Sequence, residues 1–358
     1  MEEEVIFKVQ NGVGVITLNR PDRLNALTFN MVKSISKHLI SWEKDDNIKT
    51  VIIEGAGEKA FCAGGDVVNL RRQVIEEGGP PTELSRNFFY EEYLLNYKIN
   101  QYSKPFVALI DGVTMGGGVG VSMHGSHVVS TEKTMFAMPE TAIGLFPDVG
   151  GGWLLAQLSS GIGAWLALTG ERLRAYDLLK TGLVNFYVSS EKINNLKELI
   201  IQEPSEKNEE ITNLINSFSS KPEKMSIIDD KEDIIKQIFE LDTIEKIFHE
   251  LELLINMGND FAIHTKKELL VKSPTSLKIT LKQIIQAKEM SLEEDLEMEY
   301  RMVQKCQSSG DFYEGVRAML VDKDRKPKWN PSSIDKVDDI WVNHFFESLK
   351  ENDLKIKT

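Results

Sequence analysis

The sequence predicts an α/β protein with a helical C-terminal part, and three observations carry that prediction. Residues 50–55 (Thr-Val-Ile-Ile-Glu-Gly) and 106–111 (Phe-Val-Ala-Leu-Ile-Asp) are short, nearly continuous apolar runs, the mark of strands buried on both faces. Glycine-rich joints, Ala63-Gly64-Gly65-Asp66 and Met115-Gly116-Gly117-Gly118-Val119-Gly120, each follow such a strand and precede a helical segment. From residue 235 onward, apolar residues recur at helical spacing.

Taken in order, 5–9 and 13–18 are β-rich and Asn11-Gly12 between them is a turn pair, so the chain opens on a hairpin. Asn19-Arg20-Pro21-Asp22-Arg23-Leu24-Asn25 stops the second strand in a loop. Met31, Ile35, Leu39 and Trp42 mark one face of a helix over 28–43. The strand at 50–55, the first glycine loop and a helix follow, and Glu77 to Pro81 is a break. A helix carrying Phe88, Phe89, Leu94 and Leu95 ends at Lys104-Pro105. After the second glycine loop and its helix, 128–130 and 136–138 are strands. Residues 203–233, rich in Glu, Lys, Ser and Asn, read as a polar, mobile surface stretch. Helices are expected at 235–257, 260–271, 276–289 and 291–308, with Ser273-Pro274-Thr275 a helix boundary. This divides the chain into a core over 1–200 and a helical region over 201–358.

The 358 residues, 41% hydrophobic and 27% charged, suit a globular chain with a full core. A formal charge of -13 argues against nucleic acid and anionic membrane as partners, so a phosphate-bearing ligand would need a local site of backbone N–H groups and a few basic side chains. No apolar run reaches the ~20 residues of a membrane span. Two cysteines make no disulfide framework, and the apolar surroundings of Cys62 (Ala60-Phe61-Cys62-Ala63) favour a packed, inert thiol over a nucleophile. The opening Met1-Glu2-Glu3-Glu4 lacks the Arg-rich character of a mitochondrial presequence.

Candidate chemistry concentrates in three places. Each glycine loop brings main chain close to a ligand and offers helix-start N–H groups to negative charge; if two converge, one N–H from each can hold an oxyanion. The plainer reading is that the glycines serve tight turns. Neither loop fits G-x-G-x-x-G, which disfavours a dinucleotide. The stretch from Met138 to Gly152 sets two carboxylates, Glu140 and Asp148, among apolar residues, Pro and Gly, where poor solvation raises a carboxyl pKa. Taken alone, Asp148 reads first as an N-cap for a helix over 151–160. His124 and His127, three apart, lack the further ligands a metal needs, and no metal is expected.

These residues resemble the crotonase (enoyl-CoA hydratase/isomerase) superfamily. Asn19-Arg20-Pro21 with Leu24-Asn25-Ala26-Leu27 looks like its first coenzyme A loop, Phe61-Cys62-Ala63-Gly64-Gly65-Asp66 its first oxyanion loop, Gly116-Gly117-Gly118 its second, and Pro139-Glu140 its acidic residue. The resemblance implies a spiral of ββα units, often assembled as homo-oligomers, acting on an acyl-coenzyme A. Hydratases of the superfamily place a glutamate where this chain has Gly120, which cannot activate water, and a glycine where it has Asp148. The pairing of Glu140 with Asp148, Ser273-Pro274-Thr275-Ser276-Leu277 and the stretch from Asp311 to Trp329 look like the 3-hydroxyisobutyryl-CoA hydrolases of the superfamily.

The resemblance implies that the N–H groups of Gly65 and Gly117 hold the thioester oxygen. Glu140 serves as nucleophile or general base, and Asp148 orients the substrate hydroxyl or a water. Glu92, beside Glu91, falls where the family contacts the acyl group, with a solvated acid pair as the plainer reading. Arg23 and Asp66 are assigned to coenzyme A. No cofactor is implied beyond the coenzyme A of the substrate. The pathway, valine breakdown, implies mitochondria; the alternative is cytoplasm. A hydratase or isomerase, and a coenzyme A-binding protein without activity, remain the competing readings.

Overall fold

The computed structural model describes residues 3–159 and 161–356. Its hairpin consists of β1 (Val5–Gln10) and β2 (Val13–Leu18), antiparallel across Asn11-Gly12. Both turn residues adopt left-handed angles, φ 47° and 80°, which a two-residue hairpin link requires and which Asn-Gly tolerates. The remaining strands come in pairs: β3 (Thr50–Gly55) and β4 (Ala60–Cys62), β5 (Phe106–Ile110) and β6 (Val113–Met115), β7 (His127–Ser130) and β8 (Met135–Ala137), before a short β9 (Phe186–Tyr187).

The first strand of each pair joins a six-stranded sheet ordered β1-β2-β3-β5-β7-β9, and the second joins a three-stranded sheet ordered β4-β6-β8. From β2 to β9 the large sheet is parallel. Parallel neighbours need crossovers: that from β2 to β3 is the helix Phe29–Glu43, and each of the three that follow includes a strand of the small sheet. This is the expected strand-strand-helix spiral. The continuous apolar runs follow from it, since Val51, Ile52 and Ile53 of β3 are all fully buried.

The chain divides into two compact units interleaved along the sequence. One comprises the residues up to Gly65, Glu91–Phe136 and Arg172–Ile227; the other comprises Asp66–Tyr90, Ala137–Glu171 and the residues from Ile228. In the first unit, one face of the large sheet presents Val13, Val15, Ile52, Val107, Leu109 and Val129 to the helices Ile193–Gln202 and Asn208–Asn216. The second of these helices lies within the stretch expected to be a mobile polar surface. Ile211 and Ile215 enter the core, with Leu214 and Phe218 packed against it, an apolar stripe at spacings of three, four and seven that the surrounding Glu, Asn and Ser residues obscure. Ile211→Ala is expected to lower unfolding free energy by roughly 2–5 kcal/mol, read by denaturant titration; a loss below about 0.5 kcal/mol would mean this helix is not part of the core.

In the second unit, the helix expected over 235–257 is two helices, Glu232–Phe239 and Ile244–Asn256. The break arises because Thr243 caps the second, its side chain accepting the Lys246 N–H at 3.2 Å. Ser273 caps Pro274–Ala287, accepting from Ser276 N–H at 3.1 Å, and Pro274 occupies the first turn where its missing N–H is harmless. The same hydroxyl donates to Asp311 at 2.7 Å, tying this boundary to the helix Asp311–Val316. No described helix is long and apolar enough to cross a membrane.

Candidate active site

The first unit carries the glycine loops. The loop from Asn19 to Leu27 is pinned by buried Asn25, whose carboxamide accepts from Arg20 N–H and donates to Ala56 O and Ala60 O, all at 2.9 Å. Leu27 then donates its N–H to Gly64 O at 2.8 Å. Arg23 is exposed at the end of the turn Pro21–Arg23.

The second loop begins at Gly116, φ 48°, and opens the short helix Gly117–Gly120. A Cβ on Gly117 would lie 2.6 Å from Glu92 Oε1 and 3.2 Å from Gly65 N. Gly65, Gly117 and the Glu92 carboxylate therefore meet, and only glycine fits between them. Glu92 is 2% exposed while Glu91 beside it is half-buried, so the two are not a solvated pair. Gly117→Ala is expected to lower turnover by about 10²–10³-fold, the usual loss for a disturbed oxyanion donor, with the melting temperature falling far less than turnover. Wild-type turnover would show that the loop is not where charge develops. Beneath this loop Cys62 is fully buried, and burial pushes its thiol up to about 12, which leaves no thiolate at neutral pH. Gly120 is buried in its helix.

His127 is occupied: its Nε2 meets Thr212 Oγ1 at 3.0 Å and its Nδ1 meets Ser126 Oγ at 2.8 Å. Burial lowers its pKa. Among the described residues no three His, Cys, Asp or Glu side chains group as a metal site would.

The second unit carries the carboxylates. Asp66 is its first residue and caps the helix Val67–Glu76 by accepting from Asn69 N–H at 3.1 Å. Glu140 opens a single 3-10 turn, Glu140–Ile143, closed by Gly144 in the left-handed region at φ 73°. That turn is held from behind, since Gly315 packs on Ile143 and Gly144 on the backbone of Asp311 and Phe312. This contact explains why the C-terminal stretch reads as part of the site signature although Phe312 is a core residue. Glu140 is 5% exposed, and its Oε2 has no hydrogen-bond partner among the described residues. Burial, then the charge of Asp148, raises its pKa well above the ordinary carboxylate value.

Asp148 is equally buried. After it, Val149 (φ 57°) and Gly150 (φ 76°) are both left-handed and reverse the chain into the helix Gly151–Ala156, shorter than the expected 151–160. The N-cap position belongs to Gly150, not to Asp148. The helix-start N–H groups go instead to two acids from the helix Leu292–Ser309: Gly150 and Gly152 donate to Glu299, at 2.8 and 3.2 Å, and Trp153 to Asp295 at 3.1 Å. Sequence reasoning missed Asp295 and Glu299. The signal was present: Leu292, Asp295, Glu299, Met302 and Cys306 recur at spacings of three and four and are all buried.

Comparison with known proteins agrees with this architecture. The profile of the family described as Enoyl-CoA hydratase/isomerase matches residues 13–346. A Danio rerio protein named 3-hydroxyisobutyryl-CoA hydrolase, mitochondrial, is 47% identical over 357 residues, covering 99% of this chain and 92% of its own. The Homo sapiens protein of the same name is 44% identical, covering 99% and 91%. Among solved structures, a carnitinyl-CoA dehydratase from Mycobacterium thermoresistibile superposes with a TM-score of 0.90 at 34% identity, covering 99% of both chains.

Proposed function

The chain belongs to the enoyl-CoA hydratase/isomerase family, and from that premise we propose that it hydrolyses 3-hydroxyisobutyryl-CoA to the free hydroxy acid and coenzyme A. The observation that carries the reading is the buried carboxylate pair, Glu140 with Asp148, in a chain that has Gly120 where a hydratase needs its other glutamate.

Hydrolysis asks two things of a protein. The carbonyl oxygen gains charge as its carbon becomes tetrahedral, and main-chain N–H groups at Gly65 and Gly117 are assigned to stabilise it. A carboxylate must then either take a proton from water or attack the carbonyl itself, and Glu140 is that group. As base it removes a proton while the water oxygen bonds to carbon; as nucleophile it forms an anhydride that water opens. Either way the C–S bond breaks and the thiolate leaves, needing little acid help at an ordinary thiol pKa of ~8.5. Asp148 is assigned to the substrate hydroxyl or the water, Glu92 to the acyl group, and Arg23 and Asp66 to coenzyme A. The family usually works as oligomers, and a homo-oligomer is part of this reading. So are the mitochondrial location printed in the relatives' names and a place in valine breakdown. The shorter 3-hydroxypropionyl-CoA is the expected second substrate.

The test is to mix purified protein with 3-hydroxyisobutyryl-CoA and follow free thiol with a chromogenic disulfide reagent. Thiol release that saturates with substrate supports the reading. Loss of enoyl absorbance from an unsaturated acyl-CoA, without thiol release, would make the protein a hydratase. Binding of coenzyme A with neither reaction would make it a binding protein.

A further inference from the structure

Two buried acids that this reaction leaves unused, Asp295 and Glu299, lie one turn apart on the helix Leu292–Ser309, both fully buried. Their own hydrogen bonds run to the chain beyond Asp148, and Gln283, which donates to Glu299, reaches the chain before it. Glu299 accepts from Gly150 N–H and Gly152 N–H, and Asp295 from Trp153 N–H, all beyond Asp148. On the near side, Gln283 Nε2 donates both to Pro147 O at 2.7 Å and to Glu299 at 3.1 Å. Between these ties Val149 holds φ 57°, a left-handed conformation that strains a β-branched residue and persists only where the surroundings impose it. A loop from Pro147 to Trp153 without its ties would relax, and the carboxylate of Asp148 would move with it.

We propose that Glu299, supported by Asp295 and Gln283, is a positioning residue for Asp148, fixing its carboxylate by holding the backbone on both sides of it. The inference rests on the role given to Asp148 in the proposed hydrolysis. The titratable groups whose charge Glu299 feels are Asp295 on its own helix and Asp148 on the facing loop. Burial holds both acids up: Asp295 to about 6, with its hydrogen bonds to Glu299 and Trp153 N–H pulling the other way, and Glu299 well above its ordinary value, with the Asp295 charge adding to burial. Nearby Cys306, its thiol pushed up mainly by burial, stays neutral.

A double-mutant cycle tests this. Glu299→Gln keeps the shape but places a donor where an N–H group needs an acceptor. It is expected to lower kcat about 10- to 100-fold with KM changed less than about 3-fold, because an ångström of misplacement costs on that order. In the Asp148→Asn background the same change should cost less than about 2-fold, since its effect runs through a carboxylate already lost. Rates are expressed per folded protein, measured by circular dichroism. If Glu299→Gln does not fold, Gln283→Met removes the tie to Pro147 O and the link to Glu299 while leaving the Glu299 carboxylate in place, and runs through the same cycle, with a single-variant loss of about 3-fold expected. Losses that multiply in the double variant, or wild-type kcat in the single ones, overturn the inference. Absence of thiol release by the wild-type protein overturns the underlying reading instead, and this inference with it.

Discussion

Glu140→Gln is expected to lower thiol release from 3-hydroxyisobutyryl-CoA on the order of 10³-fold, within the 10²–10⁴ range for losing a positioned acid–base group. Gln has the same shape, so KM should stay within a few-fold. The melting temperature provides a second, independent readout. Glu140 is buried, and its folded-state pKa lies well above the ordinary value of 4.5. The folded protein therefore binds this proton more tightly than the unfolded chain does. The stability this contributes is complete below pH 4.5 and is lost as pH rises through the folded-state pKa. Gln cannot ionise, so the variant should melt close to wild type at pH 4 and progressively above it as pH rises. The other raised acids are common to both proteins and cancel in the difference. A variant that loses activity and also melts lower at every pH would mean that Glu140 holds structure rather than chemistry.

The second large effect is Asp148→Asn, expected to lower kcat about 10²-fold if the group orients water or substrate, as a misplaced reactant costs about that much. Its pH signature separates it from a packing defect. The charge of Asp148 is the second cause of the raised Glu140 pKa, after burial. Removing that charge lowers the Glu140 pKa, so the acid limb of kcat/KM, which reports the free enzyme, should move to lower pH even as the plateau falls. An unmoved acid limb would mean that the essential ionisation is not that of Glu140, or that Asp148 does not face it.

Much of this was legible in the sequence because the informative residues are ones whose structural use is narrow. Gly65 and Gly117 stand at strand-to-helix joints, and the space at Gly117 admits no side chain. Pro139-Glu140 had no capping role to explain it, and Glu140 is indeed buried. Asp148 was ambiguous because an acid before a helix is ordinarily a cap; the ambiguity ends only when the helix start is seen to belong to Gly150, Glu299 and Asp295. Those two acids were hidden for a different reason. Five acids fall between Glu293 and Glu299, and such a run normally faces solvent. The spacing of Asp295 and Glu299 with Leu292, Met302 and Cys306 marks which two turn inward, but the loop they hold lies 142 to 149 residues away in the chain, so that spacing does not show what they bind. The helix Asn208–Asn216 was lost to the composition of its surroundings, which outweighed four well-spaced apolar residues.

The interleaving of the two units bears on how shortened versions of this chain should be interpreted. Glu140 and Asp148 lie in a unit whose longest contiguous piece begins at Ile228. A premature stop between Ile228 and Gln283 would leave Glu92, Gly117, Glu140 and Asp148 all encoded and translated. It would nonetheless delete Gln283, Asp295 and Glu299, the side chains that hold the Asp148 loop, and the backbone of Asp311 and Phe312 on which the Glu140 turn packs. For this architecture, a catalogue of retained catalytic positions says little about whether a truncated product works. A genetic lesion in the last third of the reading frame should be scored as severely as one in the glycine loops.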